Sequence, residues 1–318
     1  MFLKKGFHYF ALLIASCLVF FFCFTTFGFP ASVPKFSFAV LADPRAGGET
    51  WKNALSEIRD MAVNPEPKFT PNQIIIVVGD TDPLELRYND YKNIFINTNE
   101  SPLFLPVIGN HEFENYSKPF RYARDTIIPA IPNVVRRHPK SCDYYLDHEN
   151  ARFIILDGYT DLGKKGVINR KGRQWVEQVI KSAPLKIDHI FIFFHEPAFP
   201  RYRHLKDSFN ADPESRDAFW KMLLVYRDKV RAVFVGHTHH YYRMRILDPS
   251  GIPANDKHAF PDENGGIYQV DAGAAGNGKK NIIVQTQING ERIIFRVLQA
   301  DNGSGKPFKK IDEWQYQP

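Results

Sequence analysis

Short, largely apolar runs recur along the chain, at residues 36–41, 74–78, 103–108, 152–156, 190–194 and 232–235. Runs of this length, apolar at successive positions, predict strands covered on both faces by other layers. The segments 50–61, 170–182 and 217–229 lie between them and predict helices. Strands alternating with helices define an α/β class. From 268 to 298 the pattern changes to strands and turns, with Asn289-Gly290 as a hairpin signal. The polar, Gly- and Lys-rich stretch 301–318 reads as a loop or tail.

The first 32 residues stand apart. Lys4 and Lys5 precede a stretch from Tyr9 to Phe29 without a charged residue. That pattern fits a signal peptide, with cleavage near Pro30-Ala31-Ser32, or an N-terminal membrane anchor. Lipidation at Cys17 is disfavoured, because the apolar run continues well past it. Basic residues ahead of the run direct the remainder out of the cytoplasm, to a periplasmic or extracellular location or to the outer side of a membrane. Residues 33–300 then form one domain.

Each of five predicted strands runs into a polar residue able to hold a metal. The sequences are Ala42-Asp43, Gly79-Asp80, Gly109-Asn110-His111-Glu112, then His195, then Gly236-His237-Thr238-His239. In open α/β sheets ligands bind beyond the carboxyl ends of strands, so these residues are expected at one rim. Imidazole mixed with carboxylate suits Zn, Mn or Fe. In an extended backbone His237 and His239 would point to the same side and could serve two adjacent metals. Paired metals clamp the attacking and leaving oxygens of an in-line displacement, and a bound water falls from a pKa of about 16 to near 7. Asp80 is the natural bridging carboxylate. A helical His-Glu-x-x-His pair is missing from the sequence, which disfavours a zincin protease. A serine hydrolase is disfavoured for want of a Gly-x-Ser-x-Gly elbow.

These motifs, in this order, resemble the calcineurin-like metallophosphoesterase superfamily. The spelling of Gly109–Glu112, of His237–Arg243 and of Gly265–Gly276 is similar to the purple acid phosphatases within it. The resemblance implies a four-layer α/β/β/α sandwich of two mixed sheets and a metal-dependent phosphoester hydrolase. It implies that Asp43, Asp80 and His239 hold a first metal, and that Asp80, Asn110, His195 and His237 hold a second. His111 would stand beside the substrate, stabilise the transferring phosphoryl and protonate the leaving group. The substrate would be a phosphorylated small molecule.

The chain departs from the pattern at two positions. Asp43-Pro44-Arg45 has arginine where most of the superfamily has a ligating histidine, and Pro83 stands where purple acid phosphatases place a tyrosine. A guanidinium offers a metal no lone pair. The first site is therefore expected to be weak or empty. Arg45 either binds substrate phosphate or pairs with an acid such as Glu49. The departures also support an alternative, a membrane-tethered binding or scaffold module with a degenerate site.

The remaining signals are modest. The net charge of +6 is mild for 318 residues, and with no basic stripe interleaved with aromatics no nucleic acid is expected as a partner. Cys142, the single cysteine beyond the leader, is expected as a small buried hydrophobe, with no disulfide framework. His138, His148, His204 and His258 match no motif and are expected on the surface or in loops. Glu112 is expected to orient its loop. Phe113, Tyr116 and Phe199 could line the substrate mouth. Asn115-Tyr116-Ser117 and Asn302-Gly303-Ser304 fit the glycosylation pattern.

Overall fold

A computed structural model describes residues 33–63, 69–98, 101–114, 118–252, 260–276 and 278–316. Both readings of the leader, and the sites at Asn115, Tyr116 and His258, lie outside these residues.

Six strands form one mixed sheet, in the order Lys309–Tyr316, Arg292–Asp301, Lys280–Asn289, Lys35–Leu41, Asn72–Val78 and Leu103–Val107. The last three run parallel, and Lys35–Leu41 meets Lys280–Asn289 antiparallel. A second mixed sheet has the order Tyr241–Ile246, Ile267–Ala272, Val230–Val235, His189–Phe193, Ala151–Ile155, Tyr144–His148 and Val135–Arg136. Its four central strands are parallel.

The apolar runs are buried on both faces because each face meets a different layer. Along His189–Phe193, Phe191 and Phe193 point to the first sheet, where Phe38 meets their rings at 5.0 and 6.4 Å. Ile190 and Ile192 belong instead to the apolar cluster that holds Val176, Phe219 and Trp220 from the helices Arg170–Lys181 and Pro213–Val225. On the far side of the first sheet the helix Gly48–Val63 presents Trp51, Ala54, Leu55 and Ile58, all buried. The result is the expected four-layer α/β/β/α sandwich. Burying so many Phe, Ile and Val side chains, each contributing about 1.5–3 kcal/mol, gives the rigid frame from which the strand-end loops project.

The structure differs from the sequence reading in three places. The helix expected at 217–229 is Pro213–Val225, because Asp212 caps it by accepting from Ser215 N at 3.0 Å and Pro213 opens its first turn. The helix Leu84–Phe95 was not expected: polar residues interrupt its apolar positions, and among its residues Leu84, Arg87, Tyr91 and Phe95 are buried. Stretch 301–318 is not only a tail: Lys309–Tyr316 is the edge strand of the first sheet. One apolar anchor suffices there, since Trp314 lies opposite Phe295 in register and stacks on its ring at 4.8 Å. Asn289-Gly290 closes a hairpin as expected, with Gly290 at φ 60°. Cys142 is fully buried.

Candidate metal centre

The strands Lys35–Leu41, Asn72–Val78, Leu103–Val107, His189–Phe193 and Val230–Val235 all end at one rim. Their loops are tight and unusual. Asp43, Asp80, His237 and His239 all have φ between 50° and 72°, in the left-handed region that non-glycine residues rarely occupy. The backbone of His237-Thr238-His239 is therefore not extended, contrary to the sequence reading. Thr238 is instead anchored below the site, donating from its hydroxyl to Asp271 at 2.7 Å. Two glycines are required by space. A Cβ at Gly79 would lie 2.3 Å from His195 Nδ1, and one at Gly109 would lie 2.4 Å from Asp80 Oδ1.

The side chains converge in two groups that share Asp80. Asp80, His195 and His237 bring one ligand atom each to within 4.8 Å of one another, and so do Asp43, Asp80 and His239. Asp80 Oδ1 is 3.3 Å from His195 Nε2, and Asp43 Oδ1 is 3.3 Å from His239 Nε2. All but His239 are buried, and only 11% of its side chain is exposed. Asn110 and His237 line the same cavity.

Neighbouring groups fix the ligand orientation. His195 Nδ1 donates to the Val78 carbonyl at 2.8 Å, which leaves a lone pair on Nε2. Asp43 Oδ2 accepts from His237 N at 2.9 Å. Glu112 orients its loop, as expected. It accepts from Gly109 N at 2.8 Å, Asp80 N at 2.9 Å and Thr81 N at 2.6 Å.

The site fits metal. Asp43 Oδ1, Asn110 Oδ1 and His237 Nε2 are buried yet accept no hydrogen bond among the described residues, although such atoms are normally paired. Burial, with the Asp80 charge beside it, pushes the Asp43 carboxyl well above its usual range. Burial and then the neighbouring histidines push His237 down, and burial followed by the Arg203 charge lowers His239 to about 4. Carboxylates short of positive charge beside neutral imidazoles are what a cation would relieve.

Around the groups the structure adds to the sequence reading and corrects it. Arg45 pairs not with Glu49, which meets Lys52, but with Asp82 at 3.2 Å. Its Nη1 also donates to His111 Nε2 at 2.9 Å. His204 is in a loop, yet its ring lies 3.9 Å from that of His237. Arg203 donates to His239 Nδ1 at 2.7 Å. Nothing in the sequence marks residues 203 and 204, which reach the site only through a turn with Tyr202 and His204 at positive φ. Phe199 is core, packed edge-on against Trp220 at 5.2 Å, and does not line the mouth. Phe113 does line it. A cavity of 750 Å³ opens between Asn110, Phe113, Tyr159, Glu196, His204 and His237, with Lys164 and Lys165 also on its wall.

Glu196 carries a testable consequence. Burial lifts its pKa to about 8, while Tyr159 donates to it at 3.0 Å. The folded protein thus holds a proton there that the unfolded chain, at about 4.5, releases. Its contribution is full below about pH 4.5 and is lost as pH rises towards about 8. Glu196→Gln in the metal-free protein is expected to become more stable than the parent as pH rises, by about 2 kcal/mol from about pH 5 to about pH 7.5. Urea unfolding at the two pH values checks this.

The family signature of the calcineurin-like phosphoesterases matches residues 36–241, and the chain belongs to that family. It is thereby a metal-dependent phosphoester hydrolase. Among solved structures it is similar to a dimetal phosphatase from Danio rerio, at 14% identity and TM-score 0.59, covering 89% of this chain and 98% of that one. It is similar to the purple acid phosphatase PPD1 from yellow lupin seeds, at 13% identity and TM-score 0.62, over 90% of this chain but only 54% of that one. It is also similar to the structure of PhoD, at 13% identity and TM-score 0.57, over 90% of this chain and 70% of that one. At these identities the likeness is one of fold. No curated protein matches the sequence.

Proposed function

We propose that the chain hydrolyses phosphate monoesters of small molecules outside the cytoplasm. The observation that carries the reading is the pair of ligand groups sharing Asp80 at one strand rim, beside a cavity. Asp80, Asn110, His195 and His237 would hold one transition-metal ion, Fe, Mn or Zn, and Asp43, Asp80 and His239 the other. When bound, the ions would neutralise phosphoryl oxygens and supply an activated water.

The chain's own groups would do the rest. Arg45, tethered to Asp82, offers a guanidinium whose fork matches two oxygens of a monoester. A guanidinium only donates, so in this arrangement His111 Nε2 must accept and its proton sits on Nδ1, 3.3 Å from Glu114. Once Arg45 turns to the substrate, the His111 Nε2 lone pair is released to take a proton from solvent, which it would pass to the leaving oxygen, returning the ring to its neutral form. Phe113 and Tyr159, stacked at 5.5 Å, give the leaving group an apolar wall.

Export rests on the basic start and the uncharged run from Tyr9 to Phe29. Among the described residues no helix is long and apolar enough to cross a membrane. Arg45 in place of a ligand favours the second reading, a tethered binding module.

Turnover of p-nitrophenyl phosphate and of its bis ester by metal-loaded protein tests the proposal. The monoester is expected to react faster, and Arg45→Ala to raise its KM about tenfold with a smaller effect on kcat. Bound metal without turnover of either ester contradicts it and leaves the binding module.

A further inference from the structure

The two ligand groups differ in how their histidines are prepared. In one, His195 Nδ1 donates to the Val78 carbonyl, so its Nε2 holds the lone pair, 3.3 Å from Asp80 and 3.2 Å from His237 Nδ1, a neutral neighbour that would also serve as a ligand. In the other, His239 Nδ1 meets Arg203 Nη1 at 2.7 Å. Arginine has no acceptor, so His239 Nδ1 must hold the lone pair, and the neutral ring carries its proton on Nε2, the nitrogen facing Asp43. A metal at His239 Nε2 needs that lone pair, and the proton can move to Nδ1 only if Arg203 leaves. Metal ligation and the Arg203 contact exclude each other.

Arg203 is held where it does this. Its Nη2 also meets His204 Nε2 at 3.2 Å. On one side the Tyr202 ring stacks on His240 at 5.0 Å, and on the other His204 Nδ1 meets Asp207 at 3.1 Å. Both flanking residues have positive φ, which points the intervening side chain back at the rim.

We propose that Arg203 competes with metal for His239, so that the Asp80, Asn110, His195 and His237 site loads first and the Asp43, Asp80 and His239 site loads second and more weakly. This rests on the reading of both groups as metal sites.

Substitutions at 203 separate competition from simple charge repulsion. Lysine, like arginine, only donates. Glutamine offers a carbonyl that accepts a proton from Nδ1 and reverses the tautomer. Calorimetric titration of the metal-free protein with Mn²⁺ is expected to show two binding events, the weaker one abolished by Asp43→Asn. Arg203→Gln is expected to tighten that event about tenfold, Arg203→Ala by less, and Arg203→Lys by no more than about twofold, with the stronger event unmoved. Imidazole ¹⁵N spectra of the metal-free protein are expected to show His239 protonated on Nε2 in the parent and on Nδ1 in Arg203→Gln. Equal affinities for the glutamine and alanine variants, or an unchanged weaker event in both, overturn the competition while leaving the metal sites standing. No Mn²⁺ binding by any form overturns both the competition and the reading beneath it.

Discussion

Asp80→Asn is expected to cut phosphomonoester turnover by about a thousandfold. The substitution preserves shape and still offers an oxygen to His111 N, which approaches Oδ1 at 3.2 Å. It removes the one negative charge common to both ligand groups. An amide could still occupy the bridging place, but a neutral bridge between two cations leaves their repulsion uncompensated. The same change is expected to stabilise the metal-free fold. Asp80 is among the causes that push the buried Asp43 and Glu112 carboxyls upwards, after burial itself. A loss of rate together with a raised melting temperature would mark a residue kept for chemistry at the expense of stability. Steady-state kinetics and thermal unfolding of the metal-free variant check both halves.

Glu112→Ala is expected to destabilise the protein by about 3–5 kcal/mol. Its carboxylate accepts from three backbone N–H groups, those of Asp80, Thr81 and Gly109, and it is almost fully buried. Alanine leaves three donors without an acceptor in a place that water reaches poorly, and it opens a hole as well. Because the three donors belong to two strand-end loops, the Asp80 carboxylate loses its fixed direction at the same time. Glu112→Gln keeps one acceptor oxygen and is expected to fall between the two. Urea midpoints for the three proteins give the order.

Much of this arrangement was legible from the order of residues. Five apolar runs each ended in glycine, aspartate, asparagine or histidine, and a strand buried on both faces leaves its end as the place for polar groups. Glycine at 79 and 109 matched positions where a Cβ would collide with His195 or Asp80. The family resemblance implies the division of His237 and His239 between the two groups, whereas the extended backbone expected to let them serve two adjacent metals is not what the structure has. Their separation comes from two left-handed residues around Thr238, and φ is not written in a Gly-His-Thr-His string.

What escaped the sequence depends on tertiary pairing. Arg203 and His204 follow a proline-rich, irregular stretch without periodicity, and only the turn at Tyr202 carries them to His239 and His237. The strand Lys309–Tyr316 buries Trp314 while Ile311 is exposed, so its apolar residues give no clean alternation in the sequence. The helix Leu84–Phe95 buries an arginine, Arg87, which donates to the Pro44 carbonyl at 3.2 Å and thereby braces the loop after Asp43. A buried arginine in a polar helix reads as surface until its partner is known.

Anomalous diffraction from crystals of the manganese-loaded protein tests the central claim most directly. Two peaks are expected at the strand rim, the stronger among Asp80, Asn110, His195 and His237 and the weaker among Asp43, Asp80 and His239. A fully loaded crystal with no ion between these side chains, or with manganese bound only elsewhere, would contradict it.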